Sequence, residues 1–473
     1  MRRPLLLVTA MALGGCSLVP DYQRPEAPVP NAYPEGAAYS AAADGDASQI
    51  SWNTFFQDPA LHQLVALALE NNRDLRKALL NVDAYRAQYR IQGAALMPEV
   101  GIDGRGGRSR VPGDLAPGGQ QTTAGNSSLE VGLTSYEVDL WGRVRSLDKA
   151  ALETYLASDD TRRSVQLGLV ANVAIAYLTW RTDQQLLSVT RSTLENYRHN
   201  LELVQASSGA GTASGLDVRQ ARTLVYSAEG QVHAFTRQVA QDKNALALLL
   251  GSPVPQDLPA TDLAAPLLAE IPAGLPAGVL EQRPDISAAE HQLMAANANI
   301  GAARAAFFPS IRLTGSAGSA STHLSGLFDS GSAAWSFTPQ IHLPIFNGGR
   351  LKASLDYAEI QKDIGVATYE QSIQRAFREV TDGLAAKGTW DKQIHSQQAL
   401  VDSATEYSEM AQKRYDEGVD NYLTLLDAQR QLLSARQTLL TDQLAQMTSK
   451  IELYKALGGG WSEAAVKPEP ATQ

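Results

Sequence analysis

The stretch GVDNYLTLLDAQRQLLSARQTLLTDQLAQMTSKIELYKAL, from Gly418 to Leu457, decides the fold. Leu426, Leu433, Leu440, Met447 and Tyr454 recur every seven residues, with Leu425, Leu432 and Leu439 beside them, so one apolar stripe stays on one face of a supercoiled helix. The same spacing occurs 207 residues earlier in Val218, Val225, Val232, Val239 and Leu246. At that offset Arg143 meets Arg350, Gly211 meets Gly418, Leu216 meets Leu423, Ala221 meets Ala428 and Gly251 meets Gly458. Further upstream the offset becomes 211, and Asp74, Ala84, Ala87, Ala94, Pro98 and Gly104 meet Asp285, Ala295, Ala298, Ala305, Pro309 and Gly315. The chain is an internal duplication, and its halves share one architecture.

Outward from this stretch, proline marks the boundaries. None occurs between Pro117 and Pro253 or between Pro344 and Pro468, a pattern that suits long helices. The first repeat, 58–252, reads as a helix from Asp58 to Met97, a β-hairpin over 99–140, a long helix over 144–208 and a returning helix over 216–250. A Pro-rich linker, 253–284, leads to the second repeat, 285–461, with a helix, a hairpin over 310–345, a long helix over 351–417 and a return over 423–457. Each long helix would extend about 97 Å at 1.5 Å per residue. In the second hairpin Trp335, Phe337, Pro339, Ile341, Leu343 and Ile345 alternate with Ser336, Thr338, Gln340 and His342, giving one apolar and one polar face. Such strands suit a tilted membrane crossing, although a soluble sheet would alternate in the same way. The AGNSS segment, Ala124 to Ser128, and the segment THLSGLFDSGSA read as outward loops.

The N-terminal residues 1–15 carry Arg2 and Arg3, then LLLVTAMAL, then Gly14 and Gly15 before the only cysteine, Cys16. This is an export leader. LGGC resembles a bacterial lipoprotein processing site, which implies lipid attachment at Cys16, and Ser17 after it suits the outer membrane. Residues 16–57, rich in Pro and Ala, read as an extended tether, and 462–473 as a disordered tail. No apolar run is long enough for a transmembrane helix. The formal charge is −10, so nucleic acid is not an expected partner.

Chemistry is sparse. The seven histidines never approach HExxH spacing, one cysteine builds no Cys-based zinc site, and neither a P-loop nor a GxSxG elbow is present. His291 reads as a surface or packed helix residue. No enzyme activity, metal or cofactor is expected. A four-stranded sheet with an apolar face cannot close alone into a membrane barrel, so missing strands would come from other copies, in a number that physics leaves open. An exported oligomer with a barrel and long helices is a duct; the rival is a trimeric lipid-anchored coiled-coil spacer or adhesin of the envelope, without a channel.

The runs QRPDI (Gln282 to Ile286), IGAARAAFFPSIRLTG (Ile300 to Gly315), DLWGRVR (Asp139 to Arg145), YDEGVDNYLTLLDAQR (Tyr415 to Arg430) and ALGGGW (Ala456 to Trp461) resemble the outer-membrane factors of bacterial tripartite efflux, the TolC family, in its OprM-like lipoprotein branch. The resemblance spans Cys16 to Trp461. It implies an α+β membrane protein: a homotrimer with a 12-stranded β-barrel in the outer membrane and a periplasmic α-helical barrel. It also implies a periplasmic adaptor and an inner-membrane pump of the resistance-nodulation-division class as partners, and passive export of drugs and small toxic compounds.

Two sites follow from it. The breakers at Gly211, Thr212 and Ala213 and at Gly418, Val419 and Asp420 would form an adaptor-contacting periplasmic tip, in addition to any role as helix C-caps. Leu423 and Asp427 lie one helical turn apart on one face. By residue pattern alone Leu423 is heptad core and Asp427 a solvated charge; the resemblance implies instead a gate, with a carboxylate ring that narrows the pore. Thr424 stands where a second acidic residue can occur in the family, and Asp217, its partner in the first repeat, could supply that charge. Arg414 and Tyr415 match positions that brace the closed state through hydrogen bonds and a salt link.

Overall fold

A computed structural model describes residues 17–39, 50–259, 265–271 and 283–459. Cys16, the leader, the tail from Ser462 and residues 260–264 and 272–282 of the 253–284 linker lie outside the described residues. The chain separates into two compact units, and each draws segments from both repeats. The first comprises Met1–Glu26, Leu80–Asp159 and Ala288–Glu370; the second Ala27–Leu79, Asp160–Ser287 and Gln371–Gln473.

The first unit is built on a four-stranded antiparallel sheet of β1 (Val100–Val111), β2 (Thr122–Val138), β3 (Ser310–Ser321) and β4 (Ala333–His342), in that order. Register puts Ile102 opposite Val131, Val131 opposite Ala317 and Ala317 opposite Trp335, so one face is apolar across all four strands. That face is bare: Ile102 is 74% exposed and Trp335 80%. Polar groups share the other face, where Glu137 pairs with Arg312 and Arg312 with Gln340. A bulge between Leu133 and Tyr136, with Ser135 at φ 48, brings Tyr136 opposite Leu313 and keeps the alternation in phase. β2 is longer than the alternation predicts, and Ala124 to Ser128, expected as a loop, are strand. Gly, Asn and Ser have no apolar periodicity, yet their backbones pair with β1, from Ser128↔Arg105 through Ala124↔Ser109. β4 stops at His342, short of the 345 that the alternation predicts and two residues before Pro344.

Among the described residues the helices are α1 (Trp52–Phe55), α2 (Pro59–Asn71), α3 (Arg73–Ala94), α4 (Arg143–Gly209), α5 (Gly215–Leu250), α6 (Pro284–Ala305), α7 (Arg350–Asp416) and α8 (Tyr422–Ala456). α4 and α7, the duplicated pair, are each 67 residues. One expectation is corrected: the helix from Asp58 to Met97 is broken at Asn72, which is extended (φ −63, ψ 130). Its side chain is the cause. Oδ1 accepts from the backbone N–H groups of Asp74 and Leu75, each at 2.9 Å, and Nδ2 donates to the Leu249 carbonyl at 2.8 Å. Asn72 therefore caps α3 and ties it to α5, a trade a single helix could not make.

In the first unit the alanines Ala150, Ala295 and Ala298 form a small-residue core between α4 and α6. The N-terminal strand of chain lies on α6: Arg24 pairs with Glu290 at 2.8 Å, and Asn297 donates to the Pro20 carbonyl at 2.8 Å. His291 is a packed helix residue, with Nδ1 2.7 Å from Glu153. In the second unit Leu61, Leu64 and Val65 of α2 and Leu246 and Leu250 of α5 are fully buried, and Phe55 stacks on Tyr454 at 4.0 Å. Among the described residues, no helix is long and apolar enough to cross a membrane.

Candidate functional site

Two tight turns, one ending α4 and one ending α7, lie in the second unit and share a single core. Gly211 (φ 77) and Gly418 (φ 72) take the left-handed conformation that closes each helix. The backbone N–H of Thr212 donates to the Ser207 carbonyl at 2.9 Å, and that of Val419 to the Arg414 carbonyl at 2.8 Å, so the duplicated turns are built alike. The returning helices start on side-chain caps. Ser214 and Asp217 exchange hydrogen bonds in a capping box, and Asn421 accepts from the Thr424 N–H at 3.2 Å. Behind the turns, Tyr197, Val204, Leu224 and Val225 of the first repeat pack with Ala411, Tyr422, Leu425 and Leu426 of the second.

On this base the expected gate residues separate clearly. Leu425 is fully buried, whereas Leu423 is 54% exposed. Heptad core is therefore not its role within one chain. Asp427, also exposed, lies one turn further along and accepts from Gln431 at 2.7 Å. Asp217 is held at 2.8 Å by the Ser214 hydroxyl, so its charge is fixed in place. It also acts across the repeats: burial first, and then the Asp217 charge, push the Tyr415 hydroxyl up. Tyr415 in turn meets Tyr422 edge-on at 5.5 Å, and burial pushes the Tyr422 hydroxyl up to about 12.

The salt link of Arg414 goes to Asp420 of its own turn, at 2.7 and 2.9 Å, and to neither Asp217 nor Asp427. The hydrogen bond raises the guanidinium and lowers the carboxyl. Among the tip residues, Gly211, Thr212, Gly418 and Val419 are exposed, Val419 by 58%, while Ala213 packs against the shared core. Sequence reasoning passed over two features. Asn421 is a helix cap, which an Asn three residues before Thr424 could have signalled. A cavity of about 560 Å³ opens among α4, α7 and α8, with His199, Glu409, Lys413 and Arg436 on its walls, and no local pattern marks it.

The family model for outer membrane efflux proteins matches residues 64–252 and 275–459, once in each repeat. Over 467 residues the chain is 57% identical to the toluene efflux pump outer membrane protein TtgI of Pseudomonas putida, covering 97% of this chain and 98% of that one. With the outer membrane protein OprJ of Pseudomonas aeruginosa it shares 44% identity over 469 residues, 98% of each. Among solved structures, the open state of the Neisseria gonorrhoeae MtrE outer membrane channel matches with a TM-score of 0.86 at 37% identity, over 96% of this chain and 100% of that one.

Proposed function

Because the chain belongs to the outer membrane efflux protein family, we propose that it is the exit duct of a tripartite efflux system, a passive channel gated at its helical turns. The observation that carries this reading is the sheet: one face is apolar and exposed, and among the described residues both edge strands are open in a single chain. Apolar surface of that kind belongs in lipid, and open edges do not persist there, so the strands continue into other copies. Three copies give the 12-stranded barrel of the family, with the polar face of each sheet turned to the lumen. A periplasmic adaptor and an inner-membrane pump of the resistance-nodulation-division class supply direction and energy. The names of the relatives, which include toluene, solvent and antibiotic efflux pumps, support organic solvents and antibiotics as cargo.

In this reading Leu423 and Asp427 from three chains ring the lumen. The exposure of both residues supports it, as does the Arg414–Asp420 link that stiffens the turn just before them. Close carboxylates attract cations, so the closed duct favours them. Leu423→Ser and Asp427→Ala should each raise single-channel conductance in planar bilayers and admit large antibiotics, with trimer yield unchanged. Variants that conduct like the parent, with the same cation preference, would place the gate elsewhere.

A further inference from the structure

Two cavities flank the base of the sheet, and the duplication relates them. One, about 710 Å³, has Met97, Glu99, Glu137 and Arg143 on its walls. The other, about 240 Å³, has Phe308, Ser310, Pro344 and Arg350. These are matching positions: Met97 and Glu99 meet Phe308 and Ser310 at the 211-residue offset, and Glu137 and Arg143 meet Pro344 and Arg350 at 207. In the first cavity Arg143 is answered by Glu137 through two hydrogen bonds, at 2.7 and 2.8 Å. In its counterpart both carboxylates have been replaced by neutral residues. The Arg350 guanidinium makes no ion pair or side-chain hydrogen bond among the described residues.

The carboxylates that do line the smaller cavity are already engaged. Glu137 is held by Arg143 and has Arg312 at 3.9 Å, and Asp139 is held by Arg145 at 3.2 Å. Three arginines, Arg143, Arg312 and Arg350, thus line the cavity against two carboxylates, one of which is also held by Arg145 from outside it, and an excess of cationic donors faces the cavity. Its other wall is apolar. Phe308 replaces Met97 and stacks on Trp141 with ring centroids 4.6 Å apart, and the Trp141 N–H, donating to the Pro309 carbonyl at 2.9 Å, fixes the pair. Arg312 and His342 lie on the polar face of the sheet.

We propose that this cavity binds amphipathic carboxylates, with the head on the Arg350 fork and the hydrocarbon body against Trp141 and Phe308. A volume of about 240 Å³ suits a bicyclic aromatic acid rather than a drug-sized molecule. Since the polar face lines the lumen in the duct reading, on which this inference rests, the site is a resting place for small organic acids on their way out.

The test uses the purified trimer, with 2-naphthoate as probe and the uncharged 2-naphthamide as its control. The parent should bind naphthoate at least about tenfold more tightly than the amide, the worth of one charge-assisted hydrogen bond. Arg350→Gln should abolish that preference. Pro344→Glu, which returns the carboxylate of the first repeat, should abolish it too while leaving Arg350 in place. Arg350→Lys should keep part of it. Equal binding of acid and amide, or naphthoate binding unaltered in both Arg350→Gln and Pro344→Glu, would overturn the site while leaving the duct intact. A parent that binds naphthoate but carries no current in planar bilayers would overturn the duct reading and, with it, the role in transport.

Discussion

Asp183 on α4 and Asp242 on α5 meet in the second unit. Asp242 is 9% exposed, and its Oδ1 accepts from Gln238 at 2.8 Å. Among the described residues its buried Oδ2 finds no donor unless Asp183 brings a proton. Burial, then the hydrogen bond to Asp242 and then its charge push the Asp183 carboxyl up to about 7. An unfolded chain would release this proton near 3.8. Between those values the folded state binds more protons than the unfolded one, so stability falls as pH rises, and the loss is complete above about 7. Asp183→Asn should therefore raise the unfolding temperature near pH 8 by more than it does near pH 5. Melting curves at the two values decide it, and an equal gain at both would remove the shared proton from the explanation. The second repeat carries Trp390 and Ser449 at the matching positions, so this sensitivity belongs to one half of the chain alone.

At the scale of elements, what the sequence made legible follows from what leaves a periodic trace. The heptads from Leu425 to Tyr454 and the proline-free spans marked α4, α5, α7 and α8 within a residue or two, because burial along a helix recurs at fixed spacing. Asn72 broke a helix without disturbing the apolar pattern on either side, since its effect comes from three hydrogen bonds, two local and one to Leu249. The polar start of β2 was invisible for the opposite reason: its pairing uses backbone groups that every residue has. Of the candidate site, the face shared by Leu423 and Asp427 could be read from spacing, but the Arg414–Asp420 link could not, because the turn geometry that joins them is not periodic. The turns also set a test. Val419 is exposed at the tip, whereas Ala213 faces the core, so Val419→Trp probes the surface without repacking the interior. It should weaken crosslinking to the periplasmic adaptor with trimer yield unchanged. Undiminished crosslinking in Val419→Trp and in an exposed neighbour such as Thr212→Trp would put the adaptor contact on another part of the molecule.

For the molecule as a whole, attachment to the membrane has two proposed sources, a lipid on Cys16 and the barrel. A lipid-modified cysteine would be one anchor, and a closed barrel of apolar outer face needs none. Cys16→Ala behind a substitute cleavable leader should therefore remain trimeric and in the outer-membrane fraction. Recovery of that variant as soluble periplasmic protein would refute the barrel.

The order β1-β2-β3-β4 has a consequence in time. β2 pairs with β3 across residues 173 to 194 positions apart, and the linker, α4, α5 and α6 lie between them. The β1-β2 hairpin can form as soon as it leaves the export machinery, but its inner edge, with Leu129, Val131 and Leu133, stays unpaired until β3 arrives. Contacts so distant in sequence form slowly, and an open apolar edge is a template for association with any other nascent strand. Biogenesis, more than the finished particle, is thus where this sequence is exposed to aggregation: a chain stopped anywhere in the linker would present that edge permanently.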